Sequence, residues 1–237
     1  MNIKLVKRYT ILGILFFLPV AFLLLLLPAK HNYVALDVVK ENVQDINTVS
    51  DYQLKDHISI VAFLGKKPLE RAMAASNLKE LIYTKFKGFK RFQIIVVLSP
   101  ESKDDLEALK REIDSHEDLK YWHFVFLEDD ATLQLYKSLN SYTELDDNLS
   151  TSSVFIVDAD LNQRGRLDDR TEREVELNAP SYDLTSYDAV QVAIIKNKMS
   201  EDIRVLFTEY REKRKGTFDS STRRANDLKG ITDEQEN

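Results

Sequence analysis

The sequence of 237 residues contains no cysteine. Without a thiolate there is no nucleophile for disulfide exchange and no soft sulfur ligand for copper. A framework of disulfides and attachment of a lipid to cysteine are excluded for the same reason. The core must therefore be held together by packing and by polar contacts alone.

The sequence also lacks a basic excess and the common catalytic motifs. Its net charge is −6 and its pI is near 5.4, whereas a nucleic-acid binder needs a basic face that releases counterions. No Gly-x-Ser-x-Gly elbow is present, and the four histidines form no pair at metal-ligand spacing. The sequence therefore predicts no enzyme, no cofactor and no nucleic-acid partner.

One long uncharged run stands at the N-terminus, from Thr10 to Ala29. About 20 apolar residues are enough to cross a bilayer as a helix. Lys4, Lys7 and Arg8 precede the run, so the positive-inside rule predicts that residues 1–9 are cytoplasmic. We expect residues 10–29 to contact membrane lipid as a single-pass helix in the cytoplasmic (inner) membrane, with the rest of the chain on the periplasmic side. A cleaved signal peptide is the alternative, but the sequence after the run is a poor cleavage site.

The remaining chain alternates strand and helix patterns. We expect a polar tether over 30–51 that includes a short edge strand, a globular domain over 52–210, and a charged, disordered tail over 211–237. Four apolar runs predict strands near 57–64, 92–98, 121–127 and 153–158, a return strand follows at 164–168, and a long helix is predicted over 186–210. A βαβ unit followed by a β-hairpin and a closing helix is the thioredoxin arrangement, an α/β fold with a central mixed sheet flanked by helices.

The segment from Val154 to Gly165 resembles the strand-turn-strand segment of the Sco (SenC) family, in which Val-Asp-x-x-Gly-x-x-x-Gly is typical. The resemblance covers residues 52–210 and the anchor. It implies a membrane-anchored, thioredoxin-like protein of the kind that helps to deliver copper to cytochrome c oxidase.

The same resemblance identifies the positions where the chemistry would lie. When Pro68 is matched to the proline after the family's first cysteine, Lys67 and Arg71 occupy the two cysteine positions. Ser150 stands at the position of the metal-binding histidine, eight residues before Asp158. All three copper ligands are replaced, so the resemblance implies a scaffold that has lost its metal and its redox activity.

Two groups of basic residues are candidates for partner contact. Lys66 and Lys67 lie in a loop before a predicted helix N-terminus, where an anion or a partner could bind, although a solvated loop is the simpler interpretation. Arg170 and Arg173 lie in an irregular acidic insertion at 169–183, which in this fold lies beside the former active-site face.

Three functions are compatible with these observations. The favoured one is a non-catalytic binding module that supports assembly of a respiratory oxidase, with an oxidase subunit or assembly factor as its partner. The second is a structural subunit of another envelope complex, such as a secretion or motility machine. The third is a copper carrier that uses unrecognised ligands, for which Met73 and His57 are the nearest candidates.

Overall fold

The computed structural model describes residues 3–26, 33–113, 119–218, 223, 224 and 226. It divides the chain into two compact units, residues 1–33 and 34–237. The first unit contains one helix, α1 (Ile3–Leu26), with Pro19 inside it. Nowhere in the described part of the chain is there a helix with the length and apolarity that crossing a membrane requires. The transmembrane helix over 10–29 therefore stays a prediction, and its last three residues lie outside the described range.

A seven-stranded sheet forms the centre of the second unit, with the order β1-β6-β5-β2-β3-β4 and with β7 paired to β5. The strands are β1 (Asp37–Lys40), β2 (Ile58–Gly65), β3 (Phe92–Leu98), β4 (Trp122–Phe126), β5 (Ser153–Val157), β6 (Gln163–Gly165) and β7 (Tyr187–Asp188). β2, β3 and β4 are parallel, whereas β5 is antiparallel to β2 and forms a hairpin with β6. The order β3-β2-β5-β6 is the thioredoxin arrangement, so the predicted thioredoxin-like α/β fold of the domain is confirmed.

Successive side chains of a strand point to opposite faces of the sheet. Each face therefore has side chains to bury, and helices cover both faces. The helices are α2 (Ala72–Leu78), α3 (Thr84–Phe86), α4 (Leu106–Ile113), α5 (Asp129–Lys137), α6 (Glu172–Glu176) and α7 (Ser200–Lys215). Ile60 and Ile94 belong to one core cluster, which includes residues of α2, α4 and α7. Val61 and Ile95 belong to the other, which includes residues of α5. The second unit therefore has its own complete sheet and two cores.

Residues 34–51 are packed onto this domain and differ from the predicted tether. The predicted edge strand is present as β1, which pairs with β6. Val43 and Ile46 are fully buried in the cluster that includes residues of α5. The segment is ordered because that face of the sheet needs an apolar cover beyond α5, a long-range contact that local polarity does not reveal.

The C-terminal part also departs from the prediction. The expected helix over 186–210 starts later, because Tyr187 and Asp188 form β7 against β5. A π-helical segment, Ile194–Met199, then leads into α7, which continues to Lys215. Of the tail that was expected to be disordered, Arg223 donates to the carbonyl of Leu36 at 2.6 Å and Arg224 donates to that of Asp168 at 3.0 Å. The described tail residues thus contact the domain.

The insertion at 169–183 is more regular than its composition indicates. It contains α6, whose N-terminus has a capping box formed by Thr171 and Glu174. Capping of this kind satisfies backbone N–H groups that the first turn of a helix leaves without partners.

A buried ion-pair cluster joins the elements at one side of the sheet. Arg164 of β6 is almost completely buried and pairs with Asp158 at 2.9 Å and with Glu209 of α7 at 2.5 Å. It also donates to the carbonyls of Leu36 at 2.5 Å and Asp37 at 3.2 Å. Burial would raise the pKa of Glu209, but Arg164 and then Lys213 lower it overall. One guanidinium therefore connects the N-terminal segment, the β5–β6 hairpin and the closing helix.

We predict that Arg164→Met lowers the free energy of unfolding by about 3–5 kcal/mol, because it leaves the buried Asp158 without its cation and the buried Glu209 with Lys213 alone. Urea denaturation of residues 33–237, followed by circular dichroism, measures this change. Adding Glu209→Gln to Arg164→Met should restore part of the loss. Arg173→Met, at an exposed position on α6, is the control. A loss for Arg164→Met no larger than that of the control would contradict the central role of this cluster.

Candidate functional site

The loop that follows β2 is held against the segment before β5 by backbone contacts. Gly65 has a φ of +61°, and a Cβ at this position would lie 1.9 Å from the carbonyl oxygen of Asn148. The amide of Lys66 donates to the same oxygen at 2.8 Å. Only glycine permits this approach, so Gly65 fixes where the 146–150 loop meets the end of the central strand.

The sequence Pro68–Arg71 forms a 3₁₀ turn that leads directly into α2. Pro68 lies at the start of the turn and is buried, whereas Lys67 before it is exposed. Proline suits this position because its fixed φ matches the helix and its missing N–H would have no partner there. The turn therefore places Arg71 at the junction with α2, facing the 146–150 loop.

Arg71 and Ser150, the replaced second cysteine and the replaced histidine, are in direct contact. Nε of Arg71 donates to Oγ of Ser150 at 3.0 Å, and Nη2 of Arg71 donates to Oδ2 of Asp146 at 2.9 Å. Asp146 also accepts the hydroxyl and the amide of Ser150, both at 2.8 Å. We call Arg71, Asp146 and Ser150 the loop cluster. Its geometry brings together two positions that the sequence resemblance had assigned to the same site.

The loop cluster is an internally satisfied ion pair. Burial acts to raise the pKa of Asp146, but hydrogen bonds from Ser150 and then from Arg71 outweigh it and lower that pKa overall. The carboxylate of Asp146 is already bonded to Arg71 and Ser150, and neither a carboxylate nor a guanidinium is a soft ligand that selects Cu(I). These three side chains form a structural clasp between the β2 loop and the 146–150 loop.

The lysines of the basic loop also have acidic partners. Lys66 Nζ lies 2.8 Å from Asp129 of α5 and 3.8 Å from Glu101, and the hydrogen bond that Lys66 donates to Asp129 is the main cause that raises the pKa of Lys66. Lys67 lies 3.8 Å from Glu70. Because each ammonium already has a carboxylate nearby, this loop is a weak candidate for binding a free anion.

Arg170 and Arg173 lie away from the loop cluster. Arg170 pairs with Asp168 at 2.7 Å and donates to the carbonyl of Ala179 at 2.8 Å, so it is engaged inside its own segment. Arg173 is exposed on α6. The hydroxyl of Tyr142, in the loop between α5 and β5, donates to Asp183 of the segment 169–183 at 2.5 Å.

The residues considered for a copper carrier do not converge. His57 precedes β2 and Met73 follows it, and an eight-residue strand spans about 20 Å or more. No group of three or more histidine or acidic side chains within the described ranges is arranged to hold a metal ion.

Asp146 is the residue of the site that the sequence prediction missed. Charged runs such as Glu144–Asp147 are usually solvated loops, so this stretch gave no reason to assign Asp146 to a site. The usable signal was the order Asp146-x-Asn148-x-Ser150, because an aspartate side chain often accepts the amides two and four residues later. Here it accepts the amide of Asn148 at 3.0 Å and that of Ser150 at 2.8 Å.

No protein-family model matches the chain, and no curated protein matches it. Solved structures with a similar fold include a SCO1/SenC family lipoprotein from Bacillus anthracis, with 12% identity over 76% of this chain and 99% of that chain and a TM-score of 0.45. A second is BsSco, described as a member of the Sco family of cytochrome c oxidase assembly proteins, with 16% identity, coverage of 73% and 96%, and a TM-score of 0.43. A third is the thioredoxin domain of a thiol-disulfide oxidoreductase from Bacteroides vulgatus, with 18% identity, coverage of 55% and 85%, and a TM-score of 0.34. The structural neighbours are thus Sco/SenC family proteins and thioredoxin-like domains.

We predict that Asp146→Asn lowers the free energy of unfolding at neutral pH by about 0.5–1 kcal/mol, because it removes the charge that Arg71 and Ser150 stabilise in a pair that solvent partly screens. The lowered pKa of Asp146 means that its contribution is present above the unfolded-state pKa and is lost as the pH falls through the folded-state pKa. The difference between the two proteins should therefore be largest at neutral pH and shrink as the pH falls below the ordinary aspartate pKa of about 3.9. Urea titrations at neutral and at acidic pH measure it. Asp147→Asn, at the exposed neighbour, serves as the control, and an equal effect at both positions would contradict the clasp.

Proposed function

We propose that this chain is a membrane-anchored, thioredoxin-like binding module without redox chemistry, which supports the assembly of a respiratory cytochrome oxidase. The observation that carries the proposal is the loop cluster. Arg71 and Ser150 stand at two of the replaced ligand positions and bond to each other and to Asp146. A site whose polar groups are already paired has little chemistry to offer, but it gives a rigid surface beside the central strand.

The surface next to the loop cluster has the character of a docking face. Leu69 is 42% exposed and Met73 is 65% exposed, and they lie on either side of Arg71 in sequence, on the 3₁₀ turn and the first turn of α2. Flexible methionine and apolar side chains surrounded by charged ones are common at protein–protein interfaces. Lys67 and Glu70, both exposed, supply the charged rim. The partner class, an oxidase subunit or assembly factor, is taken from the resemblance of residues 154–165.

Membrane anchoring is the second part of the proposal, and its support comes from the sequence. The uncharged run at 10–29 continues beyond the end of α1 at Leu26. The cations before the run favour a cytoplasmic N-terminus and a domain on the periplasmic side of the inner membrane.

We expect the full chain, purified from detergent-solubilised membranes with an affinity tag, to recover oxidase subunits or assembly factors. The double variant Leu69→Glu, Met73→Glu should reduce that recovery by about tenfold, because charged side chains cannot bury against an apolar partner surface. Leu177→Glu, at another exposed leucine (70% exposed) far along the chain, is the matched control. Quantitative mass spectrometry measures the yield. Recovery of a different envelope complex, lost with the same double variant, would move the function to the second hypothesis and reject the oxidase assignment.

A separate experiment tests anchoring. Alkaline carbonate extraction should leave the full chain in the membrane pellet and release a version that starts at residue 33, because an apolar helix of about 20 residues is not extracted by high pH. Release of the full chain into the supernatant would reject the anchor and leave the docking face to be judged by the affinity experiment alone.

A further inference from the structure

A basic and aromatic segment connects α3 to β3, at the end of the sheet opposite the loop cluster. Residues 85–91 read Lys-Phe-Lys-Gly-Phe-Lys-Arg. Lys85, Lys90 and Arg91 are exposed, and Phe89 between them is 41% exposed. The chain has a net charge of −6. The cations around this exposed aromatic ring therefore reverse the overall charge locally.

Helix α7 lies beside this segment and has its charges sorted by face. Asp202 and Glu209 point inward, where they pair with Arg166 at 2.7 Å and with Arg164 at 2.5 Å. The cations Arg204, Arg211 and Arg214 are exposed on the other side of the helix. Because the internal arginines bind the carboxylates, the outer face of α7 is left predominantly positive.

Aromatic stacking brings the segment and the helix together into one surface. The rings of Phe89 and Phe207 stack with centroids 4.1 Å apart. A cavity of about 220 Å³ opens next to them, and its lining includes Arg91, Tyr210 and Arg214. The cavity has Lys90, Arg91 and Arg214 in its lining, and its volume is sufficient for a single phosphate group.

The cations of this surface have no acidic partners within the described part of the chain. Lys90, Arg91, Arg204 and Arg214 form no ion pair with any described residue. Burial, and then the neighbouring Arg204 and Lys196, lower the pKa of Lys85, as expected where positive charges accumulate. This distinguishes the surface from the loop that contains Lys66 and Lys67, whose lysines both have carboxylate neighbours.

We propose that this surface, defined by Phe89, Lys90, Arg91, Phe207 and Arg214, docks onto the headgroups of anionic phospholipids. Each cation near an anionic bilayer contributes about 1 kcal/mol, and an aromatic ring at the headgroup level adds apolar burial. A membrane is favoured over an acidic protein because the cations surround a partly exposed aromatic ring, which can contact the headgroup region of a bilayer. The surface belongs to the domain alone, so it is tested without the anchor and survives if the anchor proposed above is rejected.

Residues 33–237 contain the complete second unit, and co-sedimentation with phosphatidylcholine vesicles, with and without phosphatidylglycerol, tests the docking directly. We expect binding only when phosphatidylglycerol is present, weakened about tenfold by raised salt because exposed charges are screened. The charge reversal Lys90→Glu, Arg91→Glu, Arg214→Glu should abolish it, and Phe89→Ser should weaken it. Thermal unfolding confirms that each variant is folded.

The matched control is the triple reversal Lys103→Glu, Arg111→Glu, Lys120→Glu, which changes the net charge equally at exposed positions on or near α4 and β4. This control variant should keep at least half of the binding, roughly, because its changed charges lie far from the proposed surface. Absence of any phosphatidylglycerol-dependent binding overturns the proposal. Equal loss in both triple variants also overturns it, because binding would then follow net charge and not this surface.

Discussion

The buried guanidinium of Arg164 is the interaction on which most of the architecture depends. A charge this deeply buried is tolerated only when carboxylates and carbonyls satisfy it from several sides. Asp158 and Glu209 supply the charge, and the carbonyls of Leu36 and Asp37 supply further acceptors. The N-terminal segment, the β5–β6 hairpin and α7 are consequently held in one geometry. In a chain without cysteine, this cluster connects distant segments as a disulfide would.

The same cluster determines how charge is distributed on the outside. α7 contains several acidic residues, but those that face the sheet form ion pairs with Arg164 and Arg166. The arginines on the outer face of the helix are left without that neutralisation. A buried network that stabilises the fold thus also produces a cationic surface on a protein that is acidic overall, and net charge alone gives no hint of it.

Much of the fold could be predicted from the sequence because the central strands are continuous β-branched and aromatic runs, as in Phe92–Leu98, which matches β3 residue for residue. The proximity of Arg71 and Ser150 followed from the resemblance as well. The local sequence pattern gave the wrong prediction where contacts between distant residues determine the structure. Tyr187 has a helical period, yet it forms β7 and donates to Asp202 at 2.6 Å. Residues 34–51 appear polar overall, but a few apolar side chains close one core. Asp146 was missed because a paired and a solvated carboxylate look identical in sequence.

Pairing also determines what each end of the domain can bind. At the loop cluster the charges of Arg71 and Asp146 already satisfy each other, so a partner would gain little by replacing either. Docking there must draw its energy from apolar burial, at Leu69 and Met73, and specificity from shape. At the opposite end the cations exchange water for phosphate without breaking an internal pair. A carboxylate-paired face would therefore favour a complementary protein surface, whereas an unpaired cationic face would favour the phosphates of anionic lipid headgroups. The fold permits one domain to present both, because the parallel strands place the two faces at opposite ends of a rigid sheet.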